Sequence, residues 1–193
     1  MYVVLEGIDR AGKSTQIELL KKVYPKAVFT KEPGGTALGA KIRSILLHAQ
    51  KPSPLAELFL FLADRNQHIN EVIKPNLHRL IISDRSFISG IAYAMSECGL
   101  DLKELFELNR LAMEGIYPDK AIFLELSPSE LERRFSSQKL DSIEQRGIEY
   151  LLQVQKNLKT ALFKSGIEYI IIDAKKSKEE IFEEIVAFIK GAQ

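Results

Sequence analysis

Residues 2 to 15, Tyr-Val-Val-Leu-Glu-Gly-Ile-Asp-Arg-Ala-Gly-Lys-Ser-Thr, constrain this chain more than any other stretch. A short apolar run, Val3-Val4-Leu5, leads into a loop that fits G-x-x-x-x-G-K-[ST] with Gly7, Gly12, Lys13 and Ser14, and a helix-forming stretch follows. Strand, loop and helix in that order build a phosphate cradle, the P-loop. The glycines let successive backbone N–H groups curl inward where a Cβ would obstruct them. The helix aims its first amides and its positive dipole end at the same anion. The loop from Gly7 through Ile8, Asp9, Arg10 and Ala11 to Gly12 therefore wraps the phosphates, and Lys13, Ser14 and Thr15 open the helix. Lys13 brings a mobile point charge to the β/γ-phosphates, and Ser14 offers a hydroxyl to Mg²⁺. An ordinary glycine turn would rarely match this pattern between a buried strand and a helix. The expected ligand is a nucleoside triphosphate, and the acceptor of its phosphate must be read elsewhere.

A chain of 193 residues suits one domain and can bury about 70% of its unfolded surface. With 46% apolar and 27% charged residues it has the composition of an ordinary soluble globule. A net charge of +1 gives no global field toward nucleic acid, while leaving room for a local anion site. Cys98 is alone, which excludes an internal disulfide, fits a reducing compartment and reads as a small buried apolar residue. The opening residues hold no basic n-region with an apolar h-region, and no apolar run approaches 18 residues, so the expectation is a cytoplasmic protein without a membrane span.

Apolar runs rich in β-branched residues fall at 3–5, 27–29, 80–82, 121–126 and 167–172, none with polar alternation at its centre. Strands of this kind are buried on both faces, as in a parallel sheet covered by helices. Helical patterns alternate with them, at about 12–24, 37–47, 55–73, 89–97 and 102–114. The expected inner faces are Ile17, Leu20 and Val23 on the first helix, and Leu38, Ile42, Ile45 and Leu46 on the second. Ser127-Pro128-Ser129-Glu130 reads as an N-cap, a proline at the first helical position and a capping-box Glu. Ser177 to Glu180 reads as a second capping box, opening a terminal helix that Gly191 closes. Residues 135–143 are poor in apolar anchors and read as a mobile segment rather than core. The alternation predicts an α/β fold, a three-layer P-loop NTPase with a five-stranded parallel sheet flanked by helices in one domain over 1–193.

Ligands of open α/β sheets bind beyond the carboxyl ends of the strands. Polar clusters stand there after the first three strands: the P-loop, Thr30-Lys31-Glu32-Pro33-Gly34-Gly35-Thr36, and Ser83-Asp84-Arg85-Ser86. Asp84 is either a carboxylate for Mg²⁺ or a helix N-cap. Arg85 either grips a phosphate bidentately or forms a surface ion pair. Arg43 points either to the cleft or to solvent. Phe61 and Arg65, four apart on one helix face, either stack on and hydrogen-bond a nucleobase or, for Phe61, fill the core.

Together these residues resemble the thymidylate kinase family of P-loop nucleoside monophosphate kinases over nearly the whole chain. The resemblance rests on residues 6–15, on Glu32-Pro33-Gly34-Gly35-Thr36, on Phe61-Leu62-Ala63-Asp64-Arg65, and on Asp84-Arg85-Ser86 with Ser89 and Tyr93 following. It implies transfer of the ATP γ-phosphoryl group to dTMP with Mg²⁺ held by Ser14 and Asp84, and a homodimer packed through the helices after the second and third strands. It implies that Asp9 holds the acceptor 3′-hydroxyl, Phe61 stacks on thymine and Arg65 bonds its edge. By the same resemblance Arg85 binds the acceptor phosphate with Arg43, Glu32, Pro33 and Ser89 line that site, Tyr93 crowds the 2′ position, and Arg133 lies near adenine. Arg10, Lys13 and Arg85 are then the catalytic cations. Leu140-Asp141-Ser142-Ile143-Glu144 is similar to the family's lid segment.

Two departures stand out. Ser142 occupies the place of the lid arginine that some members use, which leaves Arg10 as the catalytic arginine. Gly90 stands where many members carry a polar side chain reaching the base. The alternatives are a P-loop kinase for another deoxynucleotide or nucleoside, and a non-catalytic nucleotide switch.

Overall fold

The computed structural model describes residues 1–48, 52–135 and 147–191. Five strands, β1 (Tyr2–Glu6), β2 (Val28–Lys31), β3 (Ile81–Asp84), β4 (Lys120–Glu125) and β5 (Glu168–Asp173), form one parallel sheet in the order β2-β3-β1-β4-β5. β1 lies at the centre with every residue buried. The register pairs Leu5 with Asp84 and Lys31 with Asp84, so the carboxyl ends of β1, β2 and β3 finish level. That alignment puts the three polar loops side by side.

Eight helices are described: α1 (Lys13–Val23), α2 (Ala37–His48), α3 (Pro54–His68), α4 (Phe87–Glu97), α5 (Leu102–Met113), α6 (Pro128–Phe135), α7 (Ile148–Ser165) and α8 (Lys178–Lys190). The expected helix over 55–73 divides: α3 stops at His68 and runs on as a π turn, Ile69–Ile73, and a 3₁₀ turn, Lys74–Asn76, which admits Pro75. α8 carries the expected reciprocal capping box, with Glu180 N–H on Ser177 Oγ at 3.2 Å and Ser177 N–H on Glu180 Oε2 at 2.8 Å, and Gly191 closes it in the left-handed region. At α6 the Ser127 half of the expected box forms, but the Glu130 carboxylate turns to Arg133 and Arg134. None of the described helices is long and apolar enough to cross a membrane.

The structure corrects two inner faces. Leu38 and Ile45 of α2 are 45% and 43% exposed, and Val23 of α1 is 47% exposed. α2 packs on α3 at Gly39 instead, where a Cβ would collide with Asp64 Oδ1, and Ile42 is the buried apolar residue of α2. That close approach turns Leu38 and Ile45 outward.

Sequence reasoning passed over α7 altogether. Its Leu151, Val154, Leu158, Ala161 and Leu162 recur at helical spacing and are buried. α7 packs on α4, and Asn157 Nδ2 donates to Ala92 O at 3.1 Å and Ser96 Oγ at 2.9 Å. Since α4 opens directly after Arg85, α7 braces the element that carries the site. Leu158→Ala should lower unfolding free energy by about 2–5 kcal/mol through the cavity it leaves. A urea titration checks this, with a lower midpoint at unchanged slope as the expected result.

Candidate active site

The P-loop is built by tight contacts at both ends. Gly7 has φ 146°, and a Cβ there would lie 2.8 Å from Leu124 O of β4. Gly12, at φ 101°, delivers the chain into α1. Lys13 is buried and its Nζ donates to Gly7 O (2.8 Å) and Ile8 O (3.0 Å). Burial, reinforced by the Arg85 charge, pushes the ammonium down to about 8. Above the loop opens a cleft of about 450 Å³ lined by Gly12, Lys13, Ser14, Thr15, Asp84 and Arg85, among others.

Asp84 ends β3 in this cleft. Its Oδ1 is buried and has no hydrogen-bond partner. The N-cap of α4 is Ser86, whose Oγ accepts from Ile88 N–H at 3.2 Å, so Asp84 is not spent on capping. A buried, unsatisfied carboxylate oxygen sharing a cleft with the Ser14 hydroxyl fits a hard cation.

Arg85 sits on left-handed backbone, φ 71°. Its Nη1 donates to Gly7 O (2.9 Å) and Ser89 Oγ (3.2 Å), and its Nη2 to Asp9 Oδ1 (2.6 Å). The guanidinium lies 5.8 Å from the Tyr93 ring centre. It is thus an interior group of the cleft and no surface pair. Burial alone would raise the Asp9 carboxyl, but Arg85 and Lys13 overcome it and hold it below its usual range. Beneath them Glu6 is fully buried and accepts from Ser86 Oγ (2.6 Å) and Ser89 Oγ (2.5 Å). Burial raises its carboxyl, with the two hydroxyls and Arg85 opposing. Glu6 escaped sequence reasoning, though an acid ending a buried strand was a readable signal.

A second, narrower cavity adjoins the cleft and shares Asp9, Glu32, Arg43 and Arg85 with it. Phe61 is half-buried and lines this cavity with Pro33, Arg65, Ser89, Gly90 and Tyr93. The core position on that helix belongs to Leu58, while Phe59 faces outward. Arg43 faces the cleft and donates to Pro33 O at 3.0 Å. Arg65 is 2% exposed: its Nε donates to Glu32 Oε2 (2.9 Å), Nη1 to Asn109 Oδ1 (2.6 Å) and Nη2 to Ser86 O (3.3 Å). Glu32 also meets His68 Nδ1 at 2.9 Å, and His68 Nε2 meets Thr30 Oγ1 at 2.6 Å. Burial would raise the Glu32 carboxyl, yet Arg65 and His68 hold it low. His68 and Asn109 are further members of the site that sequence reasoning missed, since each lies far along the chain from the residues it holds.

Arg10, also on left-handed backbone at φ 66°, leans on α6. Its Nη1 donates to Arg134 O at 2.7 Å, and its guanidinium carbon lies 4.8 Å from the Phe135 ring centre. Arg134 returns a bond to Arg10 O (2.8 Å), reaches Ala174 O beyond β5 (2.6 Å) and lines the cleft. Arg133, expected near adenine, is exposed and bonds Glu130. The two arginines hold the Glu130 carboxyl down to about 2. Ser142 and the lid-like stretch 140–144 lie outside the described residues.

Residues 5–185 match the family model for thymidylate kinase. The chain is 51% identical to the thymidylate kinase of Aliarcobacter butzleri, with 98% of each chain covered. It is 53% identical to that of Campylobacter jejuni subsp. doylei, over 98% of this chain and 100% of the relative. Among solved structures it is similar to a thymidylate kinase from Ehrlichia chaffeensis, with a TM-score of 0.77, 28% identity and 98% of both chains covered.

Proposed function

The chain belongs to the thymidylate kinase family, and from that membership we infer that it moves the γ-phosphoryl group of ATP onto dTMP, giving dTDP and ADP. One observation carries the inference to the site: the P-loop cleft and the cavity with Phe61 share Asp9, Glu32, Arg43 and Arg85. Two phosphate-bearing ligands can meet there between cations, with an aromatic ring and a guanidinium beyond.

Phosphoryl transfer asks for placement and charge neutralisation more than for covalent chemistry. In this reading the P-loop amides and Lys13 hold the ATP phosphates, and Ser14 and Asp84 hold Mg²⁺. Held there, the ion would supply charge neutralisation on the ATP phosphates. Arg85, helped by Arg43, takes the dTMP phosphate and offsets its repulsion from ATP. Asp9 accepts from the 3′-hydroxyl, Phe61 stacks on thymine, and Arg65 bonds its edge. Glu32 and Pro33 set the wall behind Arg65, while Ser89 and Tyr93 close on the sugar. Arg10 leaves its α6 contacts and swings onto the transferring group. The acceptor phosphate is already anionic, so no strong general base is needed. The lid expected over residues 135–143, which beyond Phe135 lie outside the described residues, would limit ATP hydrolysis by excluding water.

Arg134, rather than Arg133, is the better candidate for the donor side, because it lines the cleft and ties the P-loop to Ala174. We also read the enzyme as a cytoplasmic homodimer. The exposed Leu38 and Ile45 of α2 with Leu55 and Phe59 of α3 support a dimer face. Sedimentation over a concentration series checks it, with a purely monomeric protein as the opposing result.

A coupled ADP-release assay over a panel of acceptors tests the activity. Turnover should be fastest with dTMP, slower with dUMP and dCMP, and absent with thymidine. Faster turnover of dCMP or of thymidine would assign the site to another kinase, and acceptor-independent hydrolysis alone would favour the switch.

A further inference from the structure

We propose that Asn109 of α5, which lines neither cavity, is a positioning residue for pyrimidine recognition and acts through Arg65. The proposal rests on the kinase reading above. A guanidinium has five N–H groups in a rigid fork. Three of those on Arg65 are donated inside the protein, to Glu32, Asn109 and Ser86, which leaves two for the cavity it shares with Phe61.

One anchor fixes a point on the fork but not its plane. Glu32 holds the Nε edge, and the Ser86 carbonyl at 3.3 Å is a long contact. Asn109, at 2.6 Å on Nη1, supplies the second firm point from a different helix. Its own amide has no freedom to turn: it is fully buried, and Nδ2 donates to Leu105 O at 2.7 Å, which commits Oδ1 to Arg65. From the α4 side, a Cβ at Gly90 would lie 2.9 Å from Nη2, 3.0 Å from Nη1 and 3.3 Å from the guanidinium carbon. Position 90 is therefore bare because the end of the fork occupies that space, and α4 and α5 clamp one cation between them. A fork held this way presents only donors to the base. It accepts a carbonyl on the pyrimidine edge and opposes an amino group there. Asn109 thus sets the preference for a carbonyl-bearing pyrimidine without touching it.

The test compares kcat/KM for dTMP and dCMP, and KM for ATP, in the wild type, Asn109→Leu, Asn109→Asp and Gly90→Ala. Asn109→Leu should narrow the dTMP/dCMP ratio at least about tenfold, mainly through a higher KM for dTMP, with KM for ATP within about twofold. Asn109→Asp keeps the acceptor oxygen and should restore most of the ratio. Gly90→Ala adds one methyl on a separate helix and should narrow the ratio by pushing the fork aside, so the test does not depend on one variant folding. An unchanged ratio in both Asn109→Leu and Gly90→Ala, or equal losses for both acceptors, would overturn the proposal as a matter of packing alone. A wild type with no preference for dTMP over dCMP would instead overturn the dTMP reading and this proposal with it.

Discussion

Arg85→Ala should lower kcat/KM for dTMP by about 10²- to 10³-fold while KM for ATP changes little. Removing one partner of a buried, hydrogen-bonded charge pair costs about 2–5 kcal/mol, and each 1.4 kcal/mol is tenfold. Here the loss falls on several groups at once. Asp9 would lose its 2.6 Å partner, Ser89 and Gly7 O would lose their donor, and buried Glu6 would lose a nearby cation that stabilises its charge. The acceptor phosphate would face ATP with one cation fewer. Steady-state kinetics with dTMP varied at saturating ATP is the measurement. A variant with the wild-type KM for dTMP would remove Arg85 from the acceptor site. Arg85→Lys should recover only part of the loss, since a point charge cannot reach Gly7 O, Ser89 and Asp9 together.

Arg10→Ala should lower kcat about 10³-fold or more with modest change in either KM, as expected of an arginine that acts only on the transition state. Arg10 lines the P-loop cleft and meets the Arg134 carbonyl and the Phe135 ring of α6, contacts it gives up for the transferring group in the reading above. The loss should therefore appear in turnover and not in affinity. Single-turnover measurement separates the chemical step from product release and decides the matter. An unchanged chemical rate would leave the reaction to Lys13 and Arg85.

Much of the fold was legible because its signals are local. The P-loop spacing, the unalternating apolar runs and the capping box at Ser177 each declare themselves within a few residues. α7 has an equally local apolar repeat, and passing over it was a failure to count rather than a lack of signal. The inner face of α2 was not legible in the same way. Four apolar residues point to a stripe, yet the packing is decided by Gly39, which has no side chain to advertise it. In the site, motif positions came out together: Phe61, Arg65, Arg85, Ser89 and Tyr93 line one cavity. What escaped was the support behind them. Glu6, His68 and Asn109 act through partners up to 83 residues away in the chain, and no spacing rule joins them. Arg133 and Arg134 differ by one helical step, about 100°, which sequence periodicity could not resolve into cleft-facing and solvent-facing.

β1, the centre of the sheet, precedes both of its neighbours in the chain and is completed late. β1 pairs with β3 from Ile81 and with β4 from Lys120. A nascent chain leaving the ribosome therefore carries Val3-Val4-Leu5 unpaired on one edge until β4 has emerged, and Gly7 lacks the Leu124 carbonyl that it packs against. Such distant pairings fold slowly and leave sticky intermediates, which makes the growing polypeptide a natural client for chaperones. The phosphate cradle therefore reaches its final packing only after β4 has joined β1, well after its own residues have been made.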